Sequence, residues 1–302
     1  MAIVELDRLT KRYGKRRGIE EVSFSIGEGE IFGFIGPNGA GKSTTIRLLL
    51  HLIRPTSGSA RIFGKDVVRQ SREIRRETGY LPSEVHYYDD MRTADLLRYS
   101  AGFHGNVDEK RMRDLAERLD LDLSRKIADL SFGNRKKVGI VQALLHRPRL
   151  LILDEPTGGL DPLMQQTFFD LLREERERGA TIFFSSHILS EVQRMCERVA
   201  IIREGRIVRV ESVTALVRSS YKIVTLTFAE GSRPQPVREH DLPGVIRQDI
   251  SGRVLTLLFN GSIRDLLDFA RQLPLADILI GEPSLEELFM HEYKTDEGAR
   301  GG

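Results

Sequence analysis

Apolar residues recur along this chain in two rhythms. Three short runs hold consecutive apolar residues without alternation: IFGFI (31–35), LLILD (150–154) and TIFFSS (181–186). Runs of that length and composition predict strands buried on both faces. Elsewhere Val22, Phe24 and Ile26 alternate with polar neighbours, the pattern of a half-buried strand. Residues 1–35 therefore read as β-rich, with a turn at GEGE (27–30). A helix is predicted from Lys42, with Ile46, Leu48, Leu49, Leu50 and Leu52 as its apolar positions, and SGSARIFG (57–64) as a turn and a short strand. Residues 92–147 read as mostly helical and charged, and RVAIIREGRIVRV (198–210) as a hairpin turning at Glu204-Gly205. Buried strands alternating with helices define an α/β class with a mostly parallel sheet.

The pattern changes around 212–219. YKIVTLTF (221–228), VLTLLF (254–259) and ADILI (276–280) read as strands, and SIRDLLDFARQL (262–273) as a helix. PSLEELF (283–289) opens a last helix, with Ser284 and Glu287 in capping-box spacing. This is expected to be a small C-terminal α+β domain over 220–292, followed by a disordered tail over 293–302.

Composition narrows the function. No stretch of about 18 apolar residues occurs, so no membrane-spanning helix is expected. The start MAIVELDRLTKRYG lacks the apolar core of a signal peptide. With a net charge of +2 over 302 residues, no nucleic-acid partner is expected. Cys196 is the single cysteine, which excludes an intramolecular disulfide and a cysteine zinc site and fits a reducing, cytosolic compartment.

The densest chemistry is GPNGAGKST (36–44), placed after a buried strand and at the start of a helix. This is the G-x-x-x-x-G-K-[ST] phosphate loop in its required setting. Gly36, Pro37, Asn38, Gly39, Ala40, Gly41, Lys42, Ser43 and Thr44 would cradle a nucleotide's phosphates through backbone N–H groups and the helix N-terminus. Lys42 would reach the β and γ phosphates, and the Ser43 hydroxyl would ligate Mg²⁺. LLILDEP (150–156) then sets Asp154 and Glu155 at the end of a buried strand, where ligands of open α/β sheets bind. Asp154 is expected to hold Mg²⁺ and Glu155 to orient or deprotonate an attacking water.

With GPNGAGKST, LSFGN (130–134) and LLILDEPTGGLDP in this order, the chain resembles the ATP-binding subunits of ABC transporters over about residues 1–215. The resemblance implies a P-loop NTPase core with a mostly parallel sheet, an antiparallel β subdomain and a helical subdomain at about 84–148. It also implies ATP and Mg²⁺ as ligands. Leu130, Ser131 and Gly133 match the family's LSGGQ signature, while Phe132 and Asn134 depart from it. In the family this motif caps a helix that faces ATP held by a second subunit. Ser131, Gly133 and Asn134 would then complete the site of a second copy, or of a paralogue, in a head-to-tail dimer. Tyr13 matches the aromatic that stacks on adenine, His187 the switch histidine near the γ-phosphate, and Gly159, Leu160 and Asp161 the loop that crosses the dimer interface. One departure stands out: where the family has glutamine after the strand, GYLPSE (79–84) has Ser83, which is too short to reach a metal, and leaves Glu84 as the next group available.

The resemblance further implies a separate integral membrane permease, with this chain bound peripherally at the cytoplasmic face of the cell membrane. Tyr87, Tyr88, Met91, Leu96 and Leu97 form either an apolar docking face for that permease or core of the helical subdomain. PSLEELF resembles subunits that pair with ABC-2-type permeases, many of them exporters. The competing reading is a soluble ABC ATPase acting in iron–sulfur assembly, translation or DNA maintenance. Translation factors of this kind usually carry two cassettes, and this chain has one phosphate loop. DNA-maintenance relatives insert long coiled coils, and no sustained heptads lie between Lys42 and Asp154.

Overall fold

The three runs predicted as buried strands lie side by side in a six-stranded sheet. The computed structural model describes residues 2–14, 16–105, 108–217, 221–238 and 240–281. It divides into two compact units, Met1–Glu211 and Ser212–Gly302. The predicted Ser284–Glu287 helix start and the 293–302 tail lie outside the described residues.

In the first unit, β1 (Ala2–Tyr13) and β2 (Arg16–Gly27) pair antiparallel, and the chain turns into β3 (Ile31–Ile35) and α1 (Lys42–Leu49). Helix α1 stops one residue before Leu50, and Leu52 is exposed rather than part of its apolar face. β4 (Ser57–Ile62) and β5 (Lys65–Asp66) complete an antiparallel sheet in the order β2-β1-β4-β5. After α2 (Ser71–Arg76) and β6 (Thr78–Leu81) comes a helical stretch of α3 (Thr93–Gly102), α4 (Glu109–Arg118) and α5 (Phe132–Leu144). β7 (Leu150–Asp154), α6 (Pro162–Glu177), β8 (Thr181–Ser186), α7 (Leu189–Met195), β9 (Arg198–Arg203) and β10 (Arg206–Ser212) finish the unit. The central sheet runs β10-β9-β3-β8-β7-β6, parallel between β9, β3, β8, β7 and β6. Glu204 and Gly205 turn β9 into β10 with φ of 49° and 77°, the paired positive angles that suit a two-residue hairpin.

Every residue of β3, β7 and β8 is buried. An aromatic seam joins the two sheets: Phe24 of β2 stacks on Phe32 of β3 at 5.4 Å between centroids and touches Phe34 and Phe183. Aromatic contacts of this kind add about 0.5–1.5 kcal/mol beyond the area they bury.

A buried ion pair ties the helical stretch to the core. Arg111 of α4 donates to Glu175 of α6 at 2.7 Å and twice to the Leu144 carbonyl. Neither partner reaches water appreciably, and Glu175 also pairs with Arg178, so it is removal of Glu175 that would leave the Arg111 charge buried without a carboxylate. Leu96 and Leu97 of α3 are buried core, whereas Tyr88 is exposed.

The second unit holds α8 (Val213–Val217), β11 (Lys222–Phe228), β12 (Val245–Ser251), β13 (Val254–Phe259), α9 (Ile263–Ala270) and β14 (Leu275–Gly281). Its sheet is antiparallel, in the order β12-β13-β11-β14. Val224, Leu226, Leu257, Phe259 and Leu266 form a core of its own.

Two outcomes follow from this packing. Phe183→Ala should lower stability by about 3–5 kcal/mol, read from the denaturant midpoint, because it opens a cavity in the seam. A loss below 1 kcal/mol would show that the seam is not tightly packed. The second concerns His146, whose ring stacks on His104 at 3.7 Å and whose Nε2 is buried without a hydrogen-bond partner. Burial, with the His104 ring and the Arg111 guanidinium close by, lowers its pKa from 6.5 to about 4. The unfolded chain therefore takes up a proton near pH 6.5 that the folded chain refuses until about pH 4, so stability is lost as pH falls through that window. His146→Phe should remove up to about 3 kcal/mol of that loss. Equal pH slopes for the two proteins would contradict the assignment.

Candidate nucleotide site

The site residues meet because three neighbouring strands end together. In the parallel register Ile35 of β3 lies opposite Ser186 of β8, and Asp154 of β7 opposite Ser185. The segments that leave these strands (36–41, 155–161 and 187–188) therefore emerge at one edge of the sheet.

The phosphate loop closes on itself before α1 begins. The Ala40 N–H donates to the Pro37 carbonyl, and the Gly205 N–H of the β9–β10 turn donates to Ala40. Gly41 has φ of 114°, and a Cβ there would lie 2.7 Å from Ile19, so only glycine fits. Lys42 is 4% exposed. Its Nζ donates to the carbonyls of Gly36 at 2.7 Å and Pro37 at 3.2 Å, and pairs with Glu155 Oε1 at 3.2 Å.

Glu155 is the hub. Its second oxygen, Oε2, lies 3.3 Å from His187 Nδ1. Its φ of 46° is in the left-handed region, which costs a non-glycine residue on the order of 1 kcal/mol or more. Two groups hold it there. Ser185 accepts from its N–H, and Lys136 donates to its carbonyl at 3.2 Å. Asp154, 2% exposed, accepts from the Ser185 hydroxyl at 2.8 Å through Oδ1 alone.

Tyr13 stands at the end of β1, 43% exposed, with the Lys11 ammonium 5.3 Å from its ring centroid. Its ring packs on Gly18, and Gly18 in turn packs on Gly41 of the phosphate loop.

The signature residues form a second group with the 159–161 loop. Ser131 caps α5 by accepting from the Asn134 N–H at 3.3 Å. A Cβ on Gly133 would lie 2.7 Å from the Gly159 carbonyl, and the Phe132 ring covers Gly159. Asp161 caps α6 by accepting from Met164 N–H at 2.9 Å, with Pro162 next in the first turn.

Glu84, the next group after Ser83, faces solvent. Its side chain is 79% exposed, with His86 at 3.8 Å. The sequence reading also missed Lys136, a fully buried lysine on α5. Burial lowers its pKa to about 8, against the pull of Asp154 and Glu155. Its only trace in the sequence is the middle basic position of RKK (135–137), one turn inside a helix.

A phosphate loop at one strand end, with an acidic pair at the end of the next strand but one in the sheet, defines a P-loop nucleotide hydrolase. Residues 19–158 match the ABC transporter family. The chain is 33% identical over 296 residues to the bacitracin transport ATP-binding protein of Bacillus licheniformis, covering 95% of this chain and 96% of that one. It is also 33% identical over 259 residues to the Nod factor export ATP-binding protein I of Paraburkholderia xenovorans, covering 84% and 85%. A bacterial ABC transporter cassette solved as a dimer superposes with a TM-score of 0.64 at 26% identity, over 70% of this chain and 98% of that one. The chain belongs to the ATP-binding subunits of ABC transporters, and its chemistry is the binding and hydrolysis of ATP.

Lys42→Ala removes the one cation inside the loop. Nucleotide affinity, measured with a fluorescent ATP analogue, should fall roughly 10–100-fold. Wild-type affinity would remove Lys42 from the site.

Proposed function

We propose that the chain is the ATP-hydrolysing motor of a membrane exporter, working as a head-to-tail dimer beneath a separate permease. The observation that carries the reading is the placement of Glu155. It stands beside the phosphate-loop lysine and His187, while the signature tip of α5 packs on Gly159 of the loop that follows it.

Gly36 to Thr44 bind the phosphates, and Tyr13 offers a ring face to adenine. Lys42 balances phosphate charge and, once drawn to it, releases Glu155 Oε1. Glu155 then orients the attacking water and accepts its proton, while His187 holds Oε2 and the γ-phosphate edge. Ser131, the Gly133 amide, Asn134 and Asp161 act on the nucleotide of the partner protomer.

The donor set fits Mg²⁺. Among the described residues no group of three or more His, Cys, Asp or Glu could enclose a metal. Mg²⁺ needs no such cage, because it keeps waters and takes phosphate oxygens beside one or two protein ligands. Ser43 and Asp154 would hold it, and it would neutralise charge on the transferring phosphoryl group.

No helix among the described residues is long and apolar enough to cross a membrane. A permease partner at the cytoplasmic face is favoured by an exposed aromatic row: Tyr88 meets Tyr99 edge-on at 6.4 Å, and Tyr99 meets Phe103 at 5.1 Å. Phe103 opens onto a groove of about 630 Å³ with Leu52, Arg72 and Arg76 on its walls. Relatives named for bacitracin transport and Nod factor export support an export role.

Glu155→Gln keeps the shape of the side chain and removes the base. It should bind ATP, hydrolyse it roughly 100-fold or more slowly, and accumulate as an ATP-bound dimer in light scattering. Turnover equal to wild type would remove Glu155 from the chemistry, and an ATP-bound monomer would contradict the dimer.

A further inference from the structure

Lys136 has no part in the chemistry above, yet it is bonded to the main chain of Glu155. The side chain is fully buried. Its ammonium donates to three main-chain carbonyls: Pro82 at 3.0 Å, Ser83 at 3.0 Å and Glu155 at 3.2 Å. Three acceptors match the three N–H bonds of an ammonium, so no donor is wasted. A charge taken out of water needs such compensation, and a methionine of similar volume would sit in the same space without it. Lysine is here for what it holds.

Each of the three carbonyls belongs to a segment with a task. Pro82 and Ser83 follow β6 and lead toward the exposed aromatic row that begins at Tyr88. Glu155 carries the water-activating carboxylate on a strained backbone, at φ 46°. Lys136 itself lies on α5, five positions after Ser131, the cap of that helix. On the 82–84 loop itself, Ser83 has a short side chain and Glu84 is turned to solvent.

We propose that Lys136 is a positioning residue that joins the Pro82–Ser83 segment to the main chain of Glu155. Movement of that segment, or of α5, is thereby transmitted to the catalytic carboxylate. The linkage runs through backbone carbonyls, so it does not depend on the side chain at residue 83. This inference rests on the ATPase-motor reading of the site.

The test uses the full chain and three variants. Lys136→Met keeps volume and removes the donors, Lys136→Arg keeps a donating cation, and Lys136→Gln keeps one donating amide and takes the place of the methionine variant if that one does not fold. Steady-state kinetics should show kcat for ATP hydrolysis lowered roughly 10–100-fold in Lys136→Met, with KM changed by no more than about twofold. Lys136→Arg should recover most of kcat. Hydrogen exchange read by mass spectrometry supplies the measurement that a merely structural lysine would not move. In the wild type, ATP should slow exchange in both 36–44 and 82–88. In Lys136→Met the protection of 36–44 should remain and that of 82–88 should be lost. ATP-dependent protection of 82–88 that persists in Lys136→Met overturns the link while leaving the motor reading intact. Absence of ATP-dependent protection of 36–44 in the wild type overturns the motor reading, and this inference with it.

Discussion

The site turns on a single carboxylate held from several sides. Glu155 shares its two oxygens between the Lys42 ammonium and the His187 ring. Its backbone is pinned by Ser185 and Lys136 in a conformation that a glutamate does not choose freely. A cation already sits against the base, so ATP enters a competition: phosphate oxygens draw Lys42 one way and the carboxylate draws it the other. In the proposed mechanism the base would be free to act on water only when the phosphates win, which would tie activation of the nucleophile to occupancy of the loop.

The rest of the fold serves this arrangement. β3, β7 and β8 must be buried on both faces for their ends to stay in register, and the Phe24–Phe32–Phe183 seam locks the antiparallel sheet against them. The Arg111–Glu175 pair joins α4 to α6. The helical stretch carries the signature at the tip of α5 and Lys136 one turn further in. One helix thus carries the signature at its tip and, through Lys136, reaches the chain's own Glu155.

What could be read from the sequence was whatever is local. The apolar runs marked the three central strands, and spacing alone marked the phosphate loop, because a cradle of backbone N–H groups requires glycines at set intervals. LSFGN and LLILDEP were legible for the same reason: each is a contiguous motif at the end of an element. Lys136 was not, because its three acceptors lie 54, 53 and 19 positions away and are backbone atoms that any residue possesses. Arg111 and Glu175 are 64 positions apart and look like two surface charges on amphipathic helices. The end of α1 was misjudged because the apolar run continues through Leu50 and Leu52 after the helix has stopped. The segment 85–103 was ambiguous because it contains both kinds of residue: Leu96 and Leu97 fill the core, and Tyr88 stays outside.

The central claim is that this site drives a membrane partner. The direct measurement is purification of the tagged chain from gently solubilised membranes of its native cells, with mass spectrometry of what remains bound and of its proportion. The account predicts a multi-spanning permease in fixed stoichiometry with two ATPase subunits, and ATP hydrolysis that changes when that partner is present. Recovery instead with ribosomal, DNA-maintenance or iron–sulfur assembly proteins, and no membrane partner, would contradict it.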